Sequence, residues 1–565
     1  NFGGRHQFKF GYQFNGIKNN VNEGYRNLGI ISLLYGFTIE NLTGQDPTPG
    51  AIGSGFIQRF ATVGQASSKN QAIYIQDSWQ PFNRLTLNLG FRTERENVPT
   101  FVSSNPGINF GFKDKPAPRI GAAFDVTGNG KTKIFGFYGW FYDRFKYELP
   151  RGSFGGDFFR RDYFEIFPSK INYTNFTLSN IVGNFPDPIG GACPDTGFIG
   201  SGLSRCQFDF RIPSNQVGGD IFNGGAVDPN LKAQRQSELT FGFEHDLGGG
   251  FLASGRFTHK KIDRAIEDVG IPTASGSEAY IIANPGFGLA HSFAAQNGFP
   301  DVKAIRDYKA LELRIDKRFT QKYYFNANYT YSRLFGNYPG LANSFEAGRT
   351  SPNVNRLFDL PFAAFTANGQ PINGRLPTDR PHVFKFYGAY TFDGWDKLFG
   401  TEGKTNSTEL SLFTTAESGT PLTTIYTLFN LSPAILNGQG DLGRTETFTQ
   451  TDFALRHKYR FGSDQKFTAV FDLDLLNLFN EKNVLGVQST FTSLTNITGG
   501  NLATVGCTAC AGGEIATINR IFNGGIRDFV SAYVNALQSR KISTFNKPNS
   551  FQVQREVRFG FRLLF

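Results

Sequence analysis

The sequence predicts an all-β protein, an antiparallel β-barrel that crosses a membrane through its strands. Many short segments alternate apolar and polar residues with period two, as strands with one apolar face do. Aromatic residues make up 15% of the 565 residues, and 62 of them are phenylalanine. No segment approaches the roughly 18 to 20 consecutive apolar residues that a membrane-spanning helix needs. Such a chain can enter a membrane only as a closed barrel, because lipid offers backbone polar groups no partners.

The closing strand has the clearest pattern, and it runs from Phe551 to Phe565. Its apolar residues share one face: Val557, Phe559, Phe561, Leu563 and Phe565. The residues between them, Glu556, Arg558, Gly560 and Arg562, form a charged or small second face. This contrast is typical of a strand between lipid and a wet lumen, and we predict that the strand closes the barrel. A secreted all-β protein is the alternative, although its aromatic content is seldom this high.

About fourteen such strands follow one another along the chain. Short turns and much longer segments join them alternately. The short turns are predicted at Gln80–Asn83, Gly128–Gly130, Gly248–Gly250, Thr320–Gln321 and Gly462–Asp464. In bacterial outer-membrane barrels the periplasmic turns are short and the extracellular loops are long. We therefore expect residues 1–565 to form the barrel, with 145–232 and 480–549 as its two large extracellular loops.

Eight charged residues are predicted to face the lumen, because they alternate with apolar neighbours along their strands. They are Glu312, Arg314, Asp316, Asp472, Asp474, Glu556, Arg558 and Arg562. Charges removed from bulk water need partners. Two kinds of partner remain open: opposite charges on neighbouring strands, or a separate domain that plugs the lumen, as in many large barrels.

An aromatic and basic cluster lies in the longest loop. It consists of Phe158, Phe159, Arg160, Arg161 and Tyr163. Aromatic faces beside guanidinium groups suit an anionic or aromatic ligand, so the cluster is a candidate ligand-binding site. The simpler interpretation is that these side chains pack within the loop.

The four cysteines form two local pairs, Cys193 with Cys206 and Cys507 with Cys510. Their positions in long loops favour disulfides in an oxidising compartment. The Cys507–Cys510 spacing is also that of redox and zinc sites. However, no second such motif or nearby histidine would complete a set of four ligands. We therefore predict no metal site and no cofactor.

Other activities lack a supporting motif. Gly130, Lys131 and Thr132 resemble the end of a phosphate-binding loop, but Asp125 stands where that motif needs glycine, and a strand follows instead of a helix. No G-x-S-x-G motif frames a nucleophile, so no enzyme is predicted. The formal net charge is +10, yet the Lys and Arg residues are spread along the chain without a basic tract. The expected partner is therefore membrane lipid and not nucleic acid.

Several segments together resemble the Oar-like branch of the TonB-dependent outer-membrane receptors. They are GRHQFKFGYQFN at Gly4, NQAIYIQDSWQPFNRLTLNLGFRTE at Asn70, APRIGAAFDVTGNGKTKIFGFYGWFYDRF at Ala117, RDYKALELRIDKRFTQKYYFNANYTYSRLFGNY at Arg306, LPTDRPHVFKFYGAYTF at Leu376 and LLNLFNEKNV at Leu475. The resemblance spans nearly the whole chain. It consists of barrel patterns and contains no substrate-specific signature.

The resemblance implies a location in the bacterial outer membrane and a barrel of about 22 strands. The chain would be the carboxy-terminal part of a larger receptor, whose signal peptide, TonB box, plug and first strands lie outside this sequence. Such a receptor binds a siderophore, glycan, peptide or protein at its extracellular loops. It then imports the ligand through the lumen, energised by the TonB complex.

Two alternatives remain open. The chain could be a self-contained passive channel of about fourteen strands, with its lumen blocked by the segment Asn15 to Ser68. It could also be a surface scaffold whose loops bind another protein.

Overall fold

The computed structural model describes residues 3–25, 30–38, 46–99, 107–145, 157–168, 207–209, 227–272, 278–296, 302–319, 322–340, 356–359, 364, 371–399, 406–428, 431–435, 437–491 and 541–565. Helices in these residues are short: α1 (Gly288–Gln296), α2 (Arg356–Asp359) and α3 (Trp395–Phe399), with single 3₁₀ turns at Phe112–Asp114 and Ser463–Gln465. Within this part of the chain, no helix combines the length and apolar character needed to cross a membrane.

The rest of the described chain is mostly β-strand. The strands are β1 (Arg5–Gly24), β2 (Ile30–Tyr35), β3 (Gly53–Phe82), β4 (Leu85–Val98), β5 (Ile108–Phe110), β6 (Ala117–Asp125), β7 (Thr132–Tyr142), β8 (Asp157–Ile166), β9 (Gln207–Asp209), β10 (Arg235–Gly248), β11 (Phe251–Arg264), β12 (Glu267–Pro272), β13 (Glu278–Ala283), β14 (Arg306–Lys317), β15 (Tyr323–Gly336), β16 (Gly374–Arg375), β17 (His382–Phe392), β18 (Asn406–Glu417), β19 (Ile425–Leu428), β20 (Leu431–Ile435), β21 (Phe448–Phe461), β22 (Phe467–Leu476), β23 (Val484–Val487), β24 (Pro548–Phe551) and β25 (Glu556–Leu564).

One sheet holds 19 of these strands. Five of them, β2, β5, β8, β9 and β16, pair beside the ends of longer strands. The other fourteen form one continuous antiparallel ladder in the order β1, β3, β4, β6, β7, β10, β11, β14, β15, β17, β18, β21, β22 and β25. The prediction of an antiparallel barrel sheet with about fourteen strands is confirmed for the described residues.

The register of this ladder separates an apolar face from a polar one. On β14 and β15, Leu311 lies opposite Tyr331 and Leu313 lies opposite Tyr329. Leu311 keeps 43% of its surface exposed although it sits in the middle of a paired strand. In water, such a row would be an aggregation site, whereas in a membrane it is the surface that lipid covers. Period-two alternation in the sequence thus becomes a lipid-facing wall.

The two ends of the ladder differ in the length of their connections. At one end, here called the short-turn end, few residues join neighbouring strands, for example between β10 and β11 or between β21 and β22. The opposite end, here called the long-loop end, carries the connections from β7 to β10 and from β11 to β14. Gly248, Gly249 and Gly250 all have positive φ, which a tight turn requires and glycine adopts without strain.

Two predicted turns differ in detail. The first hairpin turns at Asn83 and Arg84 instead of starting at Gln80, because β3 continues through an irregular pairing to Phe82. In the second, the Asp125 carboxylate accepts hydrogen bonds from the backbone N–H of Gly128 at 2.9 Å and of Gly130 at 2.8 Å. The residue that breaks the phosphate-loop motif is therefore the one that organises this turn.

The described strands of the segment that the channel hypothesis placed in the lumen belong to the sheet. Asn15 pairs with Asn70 and Gly24 pairs with Ala61, so β1 and β3 extend together past their neighbours. β3 also pairs with β2 and β8 near Gly53. For the described strand residues of this segment, 15–24, 30–35 and 53–68, the expectation that they block the lumen is wrong, because their backbone hydrogen bonds are already used in this extended ribbon.

Both ends of the ladder are free edges. Among the described residues, β1 pairs only with β3 and β25 pairs only with β22. The edge strands are also the most exposed: Phe10 keeps 81% of its surface and Phe559 keeps 82%. The described part of the chain is therefore an open arc of strands.

The long-loop end carries packed structure above the lipid-facing wall. One buried cluster consists of Val98, Ile108, Phe110, Phe145, Ala233, Ile266 and Ile282. A second consists of Ile262, Ala265, Ala304, Tyr338, Leu357, Phe358, Ile372 and Ile435. We call these two clusters the loop collar. Its apolar core shows that several long connections fold on the barrel end instead of extending into solvent.

Candidate functional site

The polar face of the sheet is held together by charge pairs between neighbouring strands. On β11 and β14, the Arg256 Nε donates to Glu312 Oε2 at 3.0 Å. On β14 itself, Arg314 pairs with Asp316 at 2.6 Å, and Asn326 of β15 donates to the same carboxylate at 2.6 Å. Glu312, Arg314 and Asp316 thus lie on one face, and each has a partner within the sheet.

The same arrangement recurs at the last three strands. Asp472 of β22 accepts from Arg456 of β21 at 2.7 Å and from Arg562 of β25 at 2.8 Å. Arg558 pairs with Glu556 at 2.6 Å on β25. Asp474 lies directly opposite Arg558 in the register. All five sequence-predicted residues of these strands therefore lie on the polar face.

A recess of about 280 Å³ opens on this face where β17, β18, β21 and β22 meet. Four carboxylates line it, together with one guanidinium and one phenol: Glu409, Asp452, Asp472, Asp474, Arg456 and Tyr387. Glu409 lies directly opposite Arg456. Asp452 accepts from the backbone N–H of Asn477 at 2.8 Å. The recess has an excess of acidic groups, which suits a cationic group of a ligand or of a protein segment.

The predicted aromatic and basic cluster lies on a strand. Phe158, Phe159, Arg160 and Arg161 belong to β8, which pairs with β3 and β9. The side chains of these four residues lie outside the described part. Tyr163 is 5% exposed, and its ring packs edge-on against Phe56 with a centroid distance of 5.8 Å. For Tyr163 the geometry fits packing better than contact with a ligand.

The cysteine prediction falls outside the described residues, since Cys193, Cys206, Cys507 and Cys510 all lie there. Where the structure does describe the chain, no three His, Cys, Asp or Glu side chains converge as metal ligands would.

Sequence reasoning missed the buried charges of the long-loop end. Asp379, whose side chain is 0% exposed, pairs with Arg444 and accepts the Leu334 N–H at 2.5 Å. Lys115 and Glu96 form a second buried pair at 2.5 Å. Glu96 also accepts the Phe145 N–H at 3.0 Å. No local motif marks these residues, because Arg444 lies 65 residues from Asp379 and Lys115 lies 19 residues from Glu96.

Fold and sequence comparison together define the class of protein. The chain belongs to the family described as "outer membrane beta barrel domain", whose model matches residues 2–115 and 104–443. It is an integral outer-membrane β-barrel, as predicted.

One similar protein carries the name of the receptor branch that the sequence was predicted to resemble. The chain is 28% identical over 523 residues to the TonB-dependent transporter Oar of Myxococcus xanthus, a match that covers 90% of this chain and 44% of the relative. The predicted resemblance to Oar-like receptors is confirmed. The chain spans less than half the length of this transporter.

Solved structures of similar shape include two outer-membrane proteins. The transporter YddB from Escherichia coli is 12% identical, with a TM-score of 0.44 over 86% of this chain and 49% of that one. The pyoverdine receptor FpvA from Pseudomonas aeruginosa PAO1 is 10% identical, with a TM-score of 0.40 over 85% of this chain and 51% of that one.

Proposed function

We propose that this chain forms the carboxy-terminal barrel of a TonB-dependent outer-membrane transporter. The transporter binds a ligand at the long-loop end, which faces the cell exterior. It imports the ligand through the lumen with energy from the TonB complex. The similarity to a TonB-dependent transporter over 90% of the chain is the observation that carries this proposal.

The two free edges support a barrel larger than fourteen strands. An unpaired strand edge in hydrocarbon leaves backbone N–H and C=O groups without partners, at several kcal/mol for each group. Within the part of the chain that the structure describes, β1 and β25 both present such an edge. Further strands of the same protein would pair with them, and about 22 strands is the size at which barrels hold a plug. The same argument disfavours a self-contained channel of these strands alone.

The polar face has one region that suits charged contact with a plug or a ligand. Its guanidiniums and carboxylates are largely paired with one another, so the wall itself is close to electrostatically satisfied. The acidic recess around Asp452 and Asp474 is the exception. We assign it to contact with a cationic segment of a plug or ligand. The lumen orientation of the eight charged residues and ligand contact by the segment around Phe158 both remain proposals.

The intact denatured mass of the natural protein, extracted in detergent, tests the larger barrel. We expect a mass well above the 62.6 kDa of this chain. A mass of 62.6 kDa would exclude a plugged receptor and leave the autonomous channel.

Two further measurements test transport. In planar bilayers, the natural protein should show no steady open conductance, because a plug closes the lumen; a stable conductance would favour the channel. In cells, deleting this gene and deleting the TonB gene should abolish growth on the same member of a nutrient panel. A nutrient lost with this gene but kept without TonB would contradict energised transport.

A further inference from the structure

A second cavity lies on the outside of the barrel wall at the long-loop end. It has a volume of about 610 Å³, within the range of small-molecule sites. Its charged lining comprises Lys261, Lys303, Lys309 and Arg333 with two carboxylates, Asp263 and Asp307. None of the functions discussed above uses it.

The strand residues of this cavity continue the lipid-facing rows. Lys309 follows Leu311 and Leu313 on the same face of β14, and Arg333 follows Tyr331 on β15. Lys261 continues the row of Phe257 on β11. Two residues along a strand correspond to about 6.6 Å, so the cations begin one step beyond the apolar belt. That is the level of lipid headgroups.

The cations are crowded, and the carboxylates of the protein compensate their charge only in part. Lys309 and Arg333 lie directly opposite each other on neighbouring strands. Like charges in this position destabilise a sheet. All four cationic side chains are exposed. Among the described residues, Lys261 and Arg333 have no carboxylate partner.

Both carboxylates of the cavity are already engaged. Asp307 binds His259 at 2.8 Å and lies 3.8 Å from the Lys309 ammonium. Asp263 pairs with Arg235 at 2.9 Å and accepts from Ser237 at 3.2 Å. The cavity therefore keeps a net positive charge that an anion from outside the protein would neutralise.

Aromatic rings give the cavity an apolar floor and hold two of the cations. The Arg333 guanidinium lies 4.4 Å from the ring centroid of Phe335, and the Lys303 ammonium lies 4.8 Å from that of Phe287. Such contacts orient cations at partly hydrated sites. A ligand with a phosphate and an apolar portion would meet both surfaces.

We propose that this cavity binds the phosphate groups of a phosphorylated glycolipid in the outer leaflet of the outer membrane. Lys261, Lys309 and Arg333 bind the phosphate from the barrel wall, and Lys303 closes over it from the connection between β11 and β14. The acyl chains lie against the rows of Leu311 and Tyr331. The lipid thereby relieves the repulsion between Lys309 and Arg333.

The test compares two triple variants of the natural full-length protein in detergent. One carries Lys261→Gln, Lys309→Gln and Arg333→Gln. Its control carries Lys131→Gln, Arg318→Gln and Lys466→Gln, which removes three exposed cations at the short-turn end. Native mass spectrometry follows titration with bisphosphorylated lipid A, with lipid A stripped of both phosphates, and with inorganic phosphate.

We expect the cavity variant to bind bisphosphorylated lipid A roughly a hundredfold more weakly than the control, since each membrane-facing cation contributes somewhat less than tenfold. The unmodified protein should prefer phosphorylated over stripped lipid, and inorganic phosphate should not displace the lipid. Equal binding by the two variants, or equal binding of stripped lipid, would overturn the proposal. Displacement by inorganic phosphate would assign the cavity to a free anion instead.

Folding of each variant is checked by its heat-sensitive mobility in detergent gels. If the triple variant does not fold, the single variants Lys261→Gln and Arg333→Gln replace it. Each should weaken binding of bisphosphorylated lipid A several-fold. Unchanged binding in both single variants would contradict the site.

Discussion

The Arg562 guanidinium donates to the Asp472 carboxylate at 2.8 Å and so joins the last strand of the chain to its neighbour on the polar face. The same carboxylate accepts from Arg456 at 2.7 Å on the opposite side. One acidic side chain therefore bridges three strands, next to a free edge of the sheet.

The first prediction concerns this bridge. Asp472→Asn removes the carboxylate that Arg456 and Arg562 share, so it should lower the free energy of unfolding more than Arg562→Gln does. Both guanidiniums are more than one third exposed, at 45% and 56%, and water screens them. We therefore expect only about 1 kcal/mol for Asp472→Asn and about 0.5 kcal/mol for Arg562→Gln.

Urea titration of the natural protein in detergent micelles measures both values. Arg460→Gln is the matched control, because Arg460 is exposed on the same sheet near the short-turn end. An effect of Arg460→Gln as large as that of Asp472→Asn would show that the bridge has no specific role.

The second prediction distinguishes the two faces of the wall. Leu313→Arg places a charge on the lipid-facing row and should cost about 2 to 4 kcal/mol near the bilayer midplane. Thr330→Arg adds the same side chain on the polar face of the neighbouring strand, opposite Glu312. Only Leu313→Arg should strongly reduce the amount of folded protein in the outer membrane. Equal losses would contradict the assignment of the faces.

The third prediction concerns close packing between strands. A Cβ atom at Gly242 would collide with the backbone oxygen of Gly255 and come within 2.9 Å of the Phe135 ring. At Gly136, on the adjacent strand, the nearest atom would lie at 3.8 Å. We expect Gly242→Ala to destabilise the barrel by about 1 to 3 kcal/mol and Gly136→Ala to be tolerated.

The midpoint of the heat-induced gel shift checks this pair of variants. Similar midpoints for Gly242→Ala and Gly136→Ala would indicate that β10 and β11 lie farther apart in the folded protein than in this structure.

The fourth prediction concerns a buried ion pair at the long-loop end, beside the loop collar. Asp379→Ala removes the buried carboxylate that holds Arg444 and the Leu334 N–H. We expect a loss of about 2 kcal/mol, less than for a fully buried pair, because the Arg444 side chain is 28% exposed. Hydrogen exchange should accelerate in residues 371–381 and 437–446 while the barrel strands stay protected.

Asp393→Ala is the control for this variant. Asp393 pairs with Lys322 at 2.5 Å at the short-turn end, where both side chains are more than 40% exposed. Its loss should leave exchange at the long-loop end unchanged. Faster exchange there after Asp393→Ala would mean that the effect is global and not local to the collar.

Local alternation in the sequence was enough to predict the barrel, the number of strands and the two faces. Each membrane strand must present apolar residues to lipid at every second position. The row of Leu311, Leu313 and Ile315 therefore identifies the lipid-facing side of its strand without any tertiary information. Charged residues between them, such as Glu312 and Arg314, fall on the other face by the same parity. Turn positions were less certain, as Phe82 shows, because an irregular pairing shifts a turn without changing the pattern around it.

The long connections could not be predicted in the same way. They lack a repeating pattern, and their stability comes from contacts between residues far apart in the chain, such as Asp379 with Arg444 and Glu96 with Lys115. The extension of β1 and β3, found where a lumen-blocking segment was expected, also depends on contacts between residues far apart in the chain. The basic cavity around Lys261 and Arg333 could not be predicted either, because its cations come from three strands and one connection. The sequence by itself determined that this protein is an outer-membrane barrel, because contact with lipid on one face requires an apolar residue at every second position of each strand. Only the tertiary structure decided which charges meet at the barrel end, because that depends on strand register and loop packing, which no local pattern encodes.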